Sequence, residues 1–211
     1  MLGKTKREHL VEAVKFFSSK GWTPATSSNF SFRETSKNIV ISRNGVDKSK
    51  FAVNDLVQVN NSGGLIKSQG EKSSPETLIH TCVYNQFSDV NCVLHTHSPT
   101  STTVSRLCKN KGEISFSNYE ILKAFDGIRR HDEEVILPIF PNSDDMSEFC
   151  SWLGDYFSKN GFIHGILVEG HGLYTWSNSI DGAKRQVEAF EFLLECELLE
   201  TSVNRNRGSG D

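Results

Sequence analysis

The sequence predicts an α/β fold, a three-layer α/β/α sandwich around a largely antiparallel central sheet. Three observations predict it. The first third holds short extended runs separated by polar turns, the pattern of hairpins. The remainder alternates apolar runs with segments of helical period. The 211 residues contain no internal repeat and no interdomain linker, a length that suits one large core. The expected organisation is a single catalytic domain over residues 1–203 and a disordered tail over 204–211, where Asn204 to Gly210 offer nothing to bury.

The spacing of Leu10, Val14 and Phe17 predicts a helix from about Thr5 to Lys20, stopped by Gly21. From Trp22 the chain turns extended. Asn29 to Phe32 and Ile39 to Ser42 read as strands, Asn44-Gly45 as a tight turn, and Leu56 to Val59 before Asn60 to Gly64 as a further strand and turn. Ser74-Pro75-Glu76-Thr77 combines a capping residue, a proline suited to the first helical position and a first-turn acid, and so opens a helix to about Gln86. Cys92 to His97 reads as a strand ending at Ser98-Pro99, where another helix starts. A helix at Glu120 to Phe125, a strand at Val135 to Phe140, a helix at Asp144 to Ser158 and a strand at Ile166 to Val168 follow. After a turn at Gly170 to Gly172, a long helix runs from about Ser179 to Thr201, with Ala183, Val187, Phe190, Leu194 and Leu198 inward.

Composition narrows the function. The formal charge of -3 comes from 23 basic and 26 acidic residues spread along the chain, so no basic stripe for nucleic acid is present. The N-terminus turns charged at once and no later segment is apolar enough to span a bilayer, which gives the expectation of a soluble cytoplasmic protein with no membrane partner. The five cysteines (Cys82, Cys92, Cys108, Cys150, Cys196) are odd in number and include no C-x-x-C pair; they read as buried thiols in a reducing compartment.

The chemistry gathers on histidines. Residues i and i+2 of a strand face the same side, so His95 and His97 can offer two imidazoles to one point. An isolated pair of this kind is more often two hydrogen-bonded histidines on a polar strand face. A second signal changes the balance: Glu169-Gly170-His171-Gly172 follows an apolar strand, with glycines that leave the His171 ring uncrowded. Together the three make a nitrogen site fit for zinc or a similar divalent ion, with a coordination position left open. His9, His80 and His164 read as surface or structural, and His131 lies in a polar stretch bordering the site. Glu76 and Glu120 are both candidate acid/base groups, and both have the plainer role of pairing with a helix N-terminus; spacing does not choose between them. The turns Thr26 to Asn29, Arg43 to Gly45 and Ser73-Ser74 offer amides and hydroxyls to an anion, or are simply loops.

From about Arg7 to Thr201 the chain resembles the class II aldolase/adducin-head family. The likeness is carried by Gly21-Trp22-Thr23-Pro24-Ala25-Thr26-Ser27-Ser28-Asn29, Gly45-Val46-Asp47-Lys48, Ser74-Pro75-Glu76-Thr77, His95-Thr96-His97-Ser98, Tyr119 to Phe125, Gly170 to Trp176 and Glu188 to Glu197. The histidine motifs mark the superfamily, and the other strings resemble its dehydratase branch, which acts on a methylthio-substituted ketopentose phosphate in methionine salvage. The resemblance implies one zinc per subunit on His95, His97 and His171, with Glu76 beside the metal and Glu120 in the place of the general acid/base. It puts Asn29, Asn44, Gly45 and Ser74 where relatives bind the substrate phosphate, with Ser73 and Lys48 as neighbours. Asn44 departs from the usual Ser or Thr, and Pro75 from a small polar residue. It also implies a homotetramer with sites near subunit interfaces. The rival expectations are a sugar-phosphate aldolase or epimerase of the same superfamily, and a non-catalytic adducin-like binding module.

Overall fold

Helix α1 (Lys6–Ser19) begins with a capping box: the Glu8 backbone N–H donates to Thr5 Oγ1 at 3.3 Å, and the Thr5 N–H donates to the Glu8 carboxylate at 2.7 Å. It buries Leu10, Val14 and Phe17 against a meander of β1 (Phe30–Arg33), β2 (Asn38–Ser42) and β3 (Leu56–Asn60). Helix α2 (Thr77–Gln86) leads to β4 (Cys92–Thr96), and Ser98 caps α3 (Pro99–Leu107). Then come β5 (Glu113–Phe116), β6 (Val135–Phe140), α4 (Met146–Asn160) capped by Asp145, β7 (Gly165–Val168), β8 (Gly172–Ser177) and α5 (Ile180–Gly208). This computed structural model describes residues 3–66 and 73–208.

Among the described residues the sheet has eight strands in the order β3-β2-β1-β4-β8-β7-β6-β5, antiparallel at each pairing except β6 with β7. The three-layer sandwich and the largely antiparallel sheet are therefore as expected. Strand alternation divides the apolar residues between two cores. Phe30, Val40 and Leu94 face α1, α3 and α5, where they meet Phe17, Val187 and Phe190. Ile39, Val93 and Trp176 face α2 and α4, where they meet Val83, Phe149 and Leu153. By the same alternation His95 shares the face of Val93, and Thr96 that of Leu94.

Several expectations need correction. β5 and β8 were not expected: β5 is only four residues long, and β8 is buried at all six positions, so it shows no alternation of apolar and polar residues. The helix expected at Glu120 is a five-residue 3₁₀ turn, Glu120–Ala124. α5 continues to Gly208 rather than stopping near Thr201, so the first residues of the expected tail are helical, and Ser209 to Asp211 lie outside the described residues. Of the five cysteines only Cys92 is buried; the other four are half-buried, and all are free thiols. No helix among the described residues is long and apolar enough to cross a membrane.

Candidate active site

The site lies where β4 ends and β8 begins. Thr96 pairs with Leu173, which brings His95 and the Gly170-His171-Gly172 turn together across adjacent strands. The turn needs its glycines for different reasons. Gly170 adopts a left-handed φ of 64°, and a Cβ on Gly172 would lie 2.1 Å from the Thr96 carbonyl oxygen. The result is a convergence of ring nitrogens: His95 Nε2 lies 2.6 Å from His97 Nε2 and 3.2 Å from His171 Nε2. The longer spacing is close to the roughly 3.3 Å between two ligands of a tetrahedral ion bound at ~2.0–2.1 Å.

The surroundings prepare these nitrogens as ligands. His95 Nδ1–H donates to the Leu173 carbonyl at 2.9 Å, which directs the Nε2 lone pair into the cluster. Tyr174 stacks on the His95 ring, centroids 3.7 Å apart and planes within 9°. Burial, with His97 adding to it, holds His95 well below its ordinary value of 6.5; burial and the neighbouring His171 bring His97 to about 4. Both rings are therefore neutral near pH 7, the form that binds a cation. The three histidines are the group among the described residues that could hold a metal ion.

Glu76 joins them at the start of α2. Its Oε1 lies 3.1 Å from His171 Nε2 and its Oε2 3.9 Å from His95 Nε2. Burial raises its carboxyl, but the hydrogen bond from His171, the electrostatic pull of the adjoining imidazoles and the amide of Asn29 outweigh that, and it stays below the usual carboxylate range. Asn29 Nδ2 donates to Glu76 Oε2. Behind it, the buried His80 donates from Nε2 to Asn29 Oδ1 at 2.5 Å and accepts at Nδ1 from Ser31 Oγ at 2.7 Å. Burial lowers His80 to about 3, so it stays neutral and keeps both contacts. His80 was expected to be a surface or structural residue; it is fully buried and orients Asn29 against Glu76. Its place in α2 four residues after Glu76 was the available signal.

A cavity of about 120 Å³ opens beside the cluster, lined by Thr26, Ser28, Asn29, Asn44, Ser74, Glu76 and His97 among others. Its first loop carries Ala25, Thr26 and Ser28 at left-handed φ of 51°, 63° and 75°, a conformation that costs roughly 1–3 kcal/mol per residue and persists where the surroundings impose it. Of the residues expected to bind phosphate, Asn29, Asn44 and Ser74 are in this wall. Gly45 is not in it, and supplies a left-handed turn at φ 73°. Ser73 lines the neighbouring groove between α2 and α4. Lys48 is also absent from the wall: it is 2% exposed, and its Nζ donates to the carbonyls of Thr26 and Val46.

Glu120 is not brought to the histidines of its own chain. Its side chain is 77% exposed and its carboxylate pairs with Lys123 Nζ at 2.5 Å. On the opposite face of β4, Glu191 is buried against Thr96 Oγ1 at 3.4 Å, and burial pushes its carboxyl up to about 7 against the hydrogen bonds of Ser98 and Thr96. Nothing in the helical pattern of α5 singled out this residue.

Residues 8–198 match the family described as Class II Aldolase and Adducin N-terminal domain. This chain belongs to that family. The class II aldolase assignment agrees with solved structures of the same fold. It superposes on L-fuculose-1-phosphate aldolase from Thermus thermophilus with a TM-score of 0.74 at 17% identity, covering 96% of this chain and 97% of that one. The aldolase from Glaciozyma antarctica gives 0.72 at 20% identity, covering 94% and 74%. Sequence relatives are nearer. Proteins named methylthioribulose-1-phosphate dehydratase are 38% identical in Marinobacter nauticus (95% of this chain, 96% of that one), 40% in Picosynechococcus sp. (95% and 94%) and 42% in Xanthomonas euvesicatoria (90% and 86%).

Proposed function

We propose that this class II aldolase-family chain is a zinc-dependent methylthioribulose-1-phosphate dehydratase of methionine salvage, acting in the cytoplasm as a homotetramer. It removes water from 5-methylthioribulose 1-phosphate to give 5-methylthio-2,3-dioxopentyl phosphate. The observation that carries the reading is near-full-length identity of 38–42% to proteins of that name, in a chain that keeps three convergent imidazoles and an adjacent carboxylate.

His95, His97 and His171 hold the metal. Zinc, when bound, supplies Lewis-acid polarisation of the substrate carbonyl, which makes the adjacent C3 proton removable near neutral pH. Asn29, Asn44 and Ser74 bind and orient the phosphate in the cavity beside the cluster. Glu76, held ionised by its surroundings, stands beside the metal and accepts a hydrogen bond from a substrate hydroxyl. Glu120 takes the C3 proton and returns it to the C4 hydroxyl, which leaves as water; the enol that remains becomes the 2,3-diketone. The exposure of Glu120 supports a role across a subunit boundary, because its neighbours Ile121 and Phe192 are also exposed, at 37% and 52%. Such an apolar patch suits a second copy of the chain.

Paired assays test this reading. With zinc present the protein forms the diketone from 5-methylthioribulose 1-phosphate and leaves L-fuculose 1-phosphate intact. Aldol cleavage of the fuculose ester without diketone formation reassigns the chain to the aldolases.

A further inference from the structure

A phosphate dianion placed in the 120 Å³ cavity would lie beside the Glu76 carboxylate, so it would need a nearby positive charge. Lys48 cannot supply contact. Its ammonium is enclosed behind the wall, donating to Thr26 O at 3.1 Å and Val46 O at 3.0 Å. These bonds join the loop before β1 to the turn after β2, so Lys48 fastens two sides of the cavity together.

Arg43 is placed differently. It belongs to the wall itself, next to Asn44, and its side chain is 42% exposed. Asp55 holds it twice: the Arg43 backbone N–H donates to Asp55 O at 2.8 Å, and Nη2 donates to Asp55 Oδ1 at 2.9 Å. Asp55 Oδ2 already accepts from the Ala52 N–H at 3.0 Å. The guanidinium is thus anchored through one nitrogen; its Nε and Ser27 Oγ, in the same wall, are buried atoms without a hydrogen-bond partner, so the exposure of Arg43 lies on the rest of its side chain. A planar guanidinium with spare N–H groups matches the oxygens of a phosphate.

We infer that Arg43, oriented by Asp55, supplies the positive charge that binds the substrate phosphate in this cavity, while Lys48 is a positioning residue that holds the two loops. The inference rests on the sugar-phosphate reading of the site. It makes Arg43 a determinant of affinity for the phosphorylated substrate rather than of the proton-transfer steps.

The test is calorimetric titration of inorganic phosphate into full-length wild type, Arg43→Gln and Arg43→Lys, with kcat and KM for 5-methylthioribulose 1-phosphate alongside. Loss of a charged hydrogen-bond donor predicts phosphate binding and KM weakened on the order of 10- to 100-fold in Arg43→Gln, with kcat changed only a few-fold. Arg43→Lys, which keeps the charge and its tie to Asp55, falls between and guards against misfolding of the glutamine variant. Equal phosphate affinity in wild type and Arg43→Gln overturns the inference. A wild type that dehydrates the substrate but binds no phosphate overturns it while sparing the proposed function; a wild type that does neither removes both.

Discussion

Gly172→Ala probes the joint between fold and site. The added Cβ would meet the Thr96 carbonyl oxygen at 2.1 Å and His95 Cε1 at 3.3 Å. An ordinary carbon to carbonyl-oxygen contact is about 3.3–3.6 Å, so the start of β8 must move by more than about 1 Å relative to β4. The obstructing atom is backbone in a paired strand, and no rotamer change relieves it. The expected cost is about 3 kcal/mol, the upper end of overpacking penalties. Movement there carries His171, the next residue back, away from His95, and displacement of a ligand predicts metal affinity lowered on the order of 10- to 100-fold. Gly182→Ala is the control: its Cβ would meet Ser177 Oγ at 2.3 Å and Ser177 Cβ at 3.2 Å, at the opposite end of β8 from His171. Urea unfolding and competition against a zinc-sensitive dye measure the two effects. Both variants lose stability, and only Gly172→Ala loses zinc affinity. Equal zinc affinity in the two would refute the claim that the β4–β8 approach sets the ligand geometry.

Other outcomes follow from the same geometry. His80 is lowered from 6.5 to about 3 in the fold, so the unfolded chain binds more protons between those values; metal-free protein therefore loses stability as pH falls from about 6.5. Glu76, held below its ordinary 4.5, keeps its contribution above that value and loses it on further acidification. His80→Gln should flatten the upper part of this profile in unfolding titrations, and an unchanged slope there argues against a neutral His80 in the native state. Glu120→Gln should retain zinc while kcat falls at least about 100-fold, the usual weight of a general base. If Glu120 serves a neighbouring subunit, mixing Glu120→Gln with His171→Ala restores part of the activity neither variant has alone; full activity in Glu120→Gln itself moves the proton transfer to Glu76.

Much of the fold was legible because its signals are local. The helix start at Ser98-Pro99 and the periods of α1 and α5 are written within a few residues of each helix. β8 was illegible for a physical reason: both its faces are buried, so Leu173 to Trp176 carry no alternation to read. The histidine triad was recoverable because two ligands share one strand face and the third sits between glycines. Its support was not. His80 of α2 is joined to Asn29 and Ser31 at the start of β1, some fifty residues earlier, and the burial of Glu191 behind Thr96 depends on how α5 crosses β4. Lys48 looked like a phosphate ligand in its sequence motif, yet only its packing shows that the ammonium is committed to Thr26 and Val46.

The most direct measurement of the central claim is diketone formation from 5-methylthioribulose 1-phosphate by metal-stripped protein titrated with zinc, followed by mass and absorbance. Turnover should rise to a plateau at one zinc per chain and be lost in His171→Ala. No diketone at any zinc loading, or undiminished turnover in His171→Ala, would contradict it.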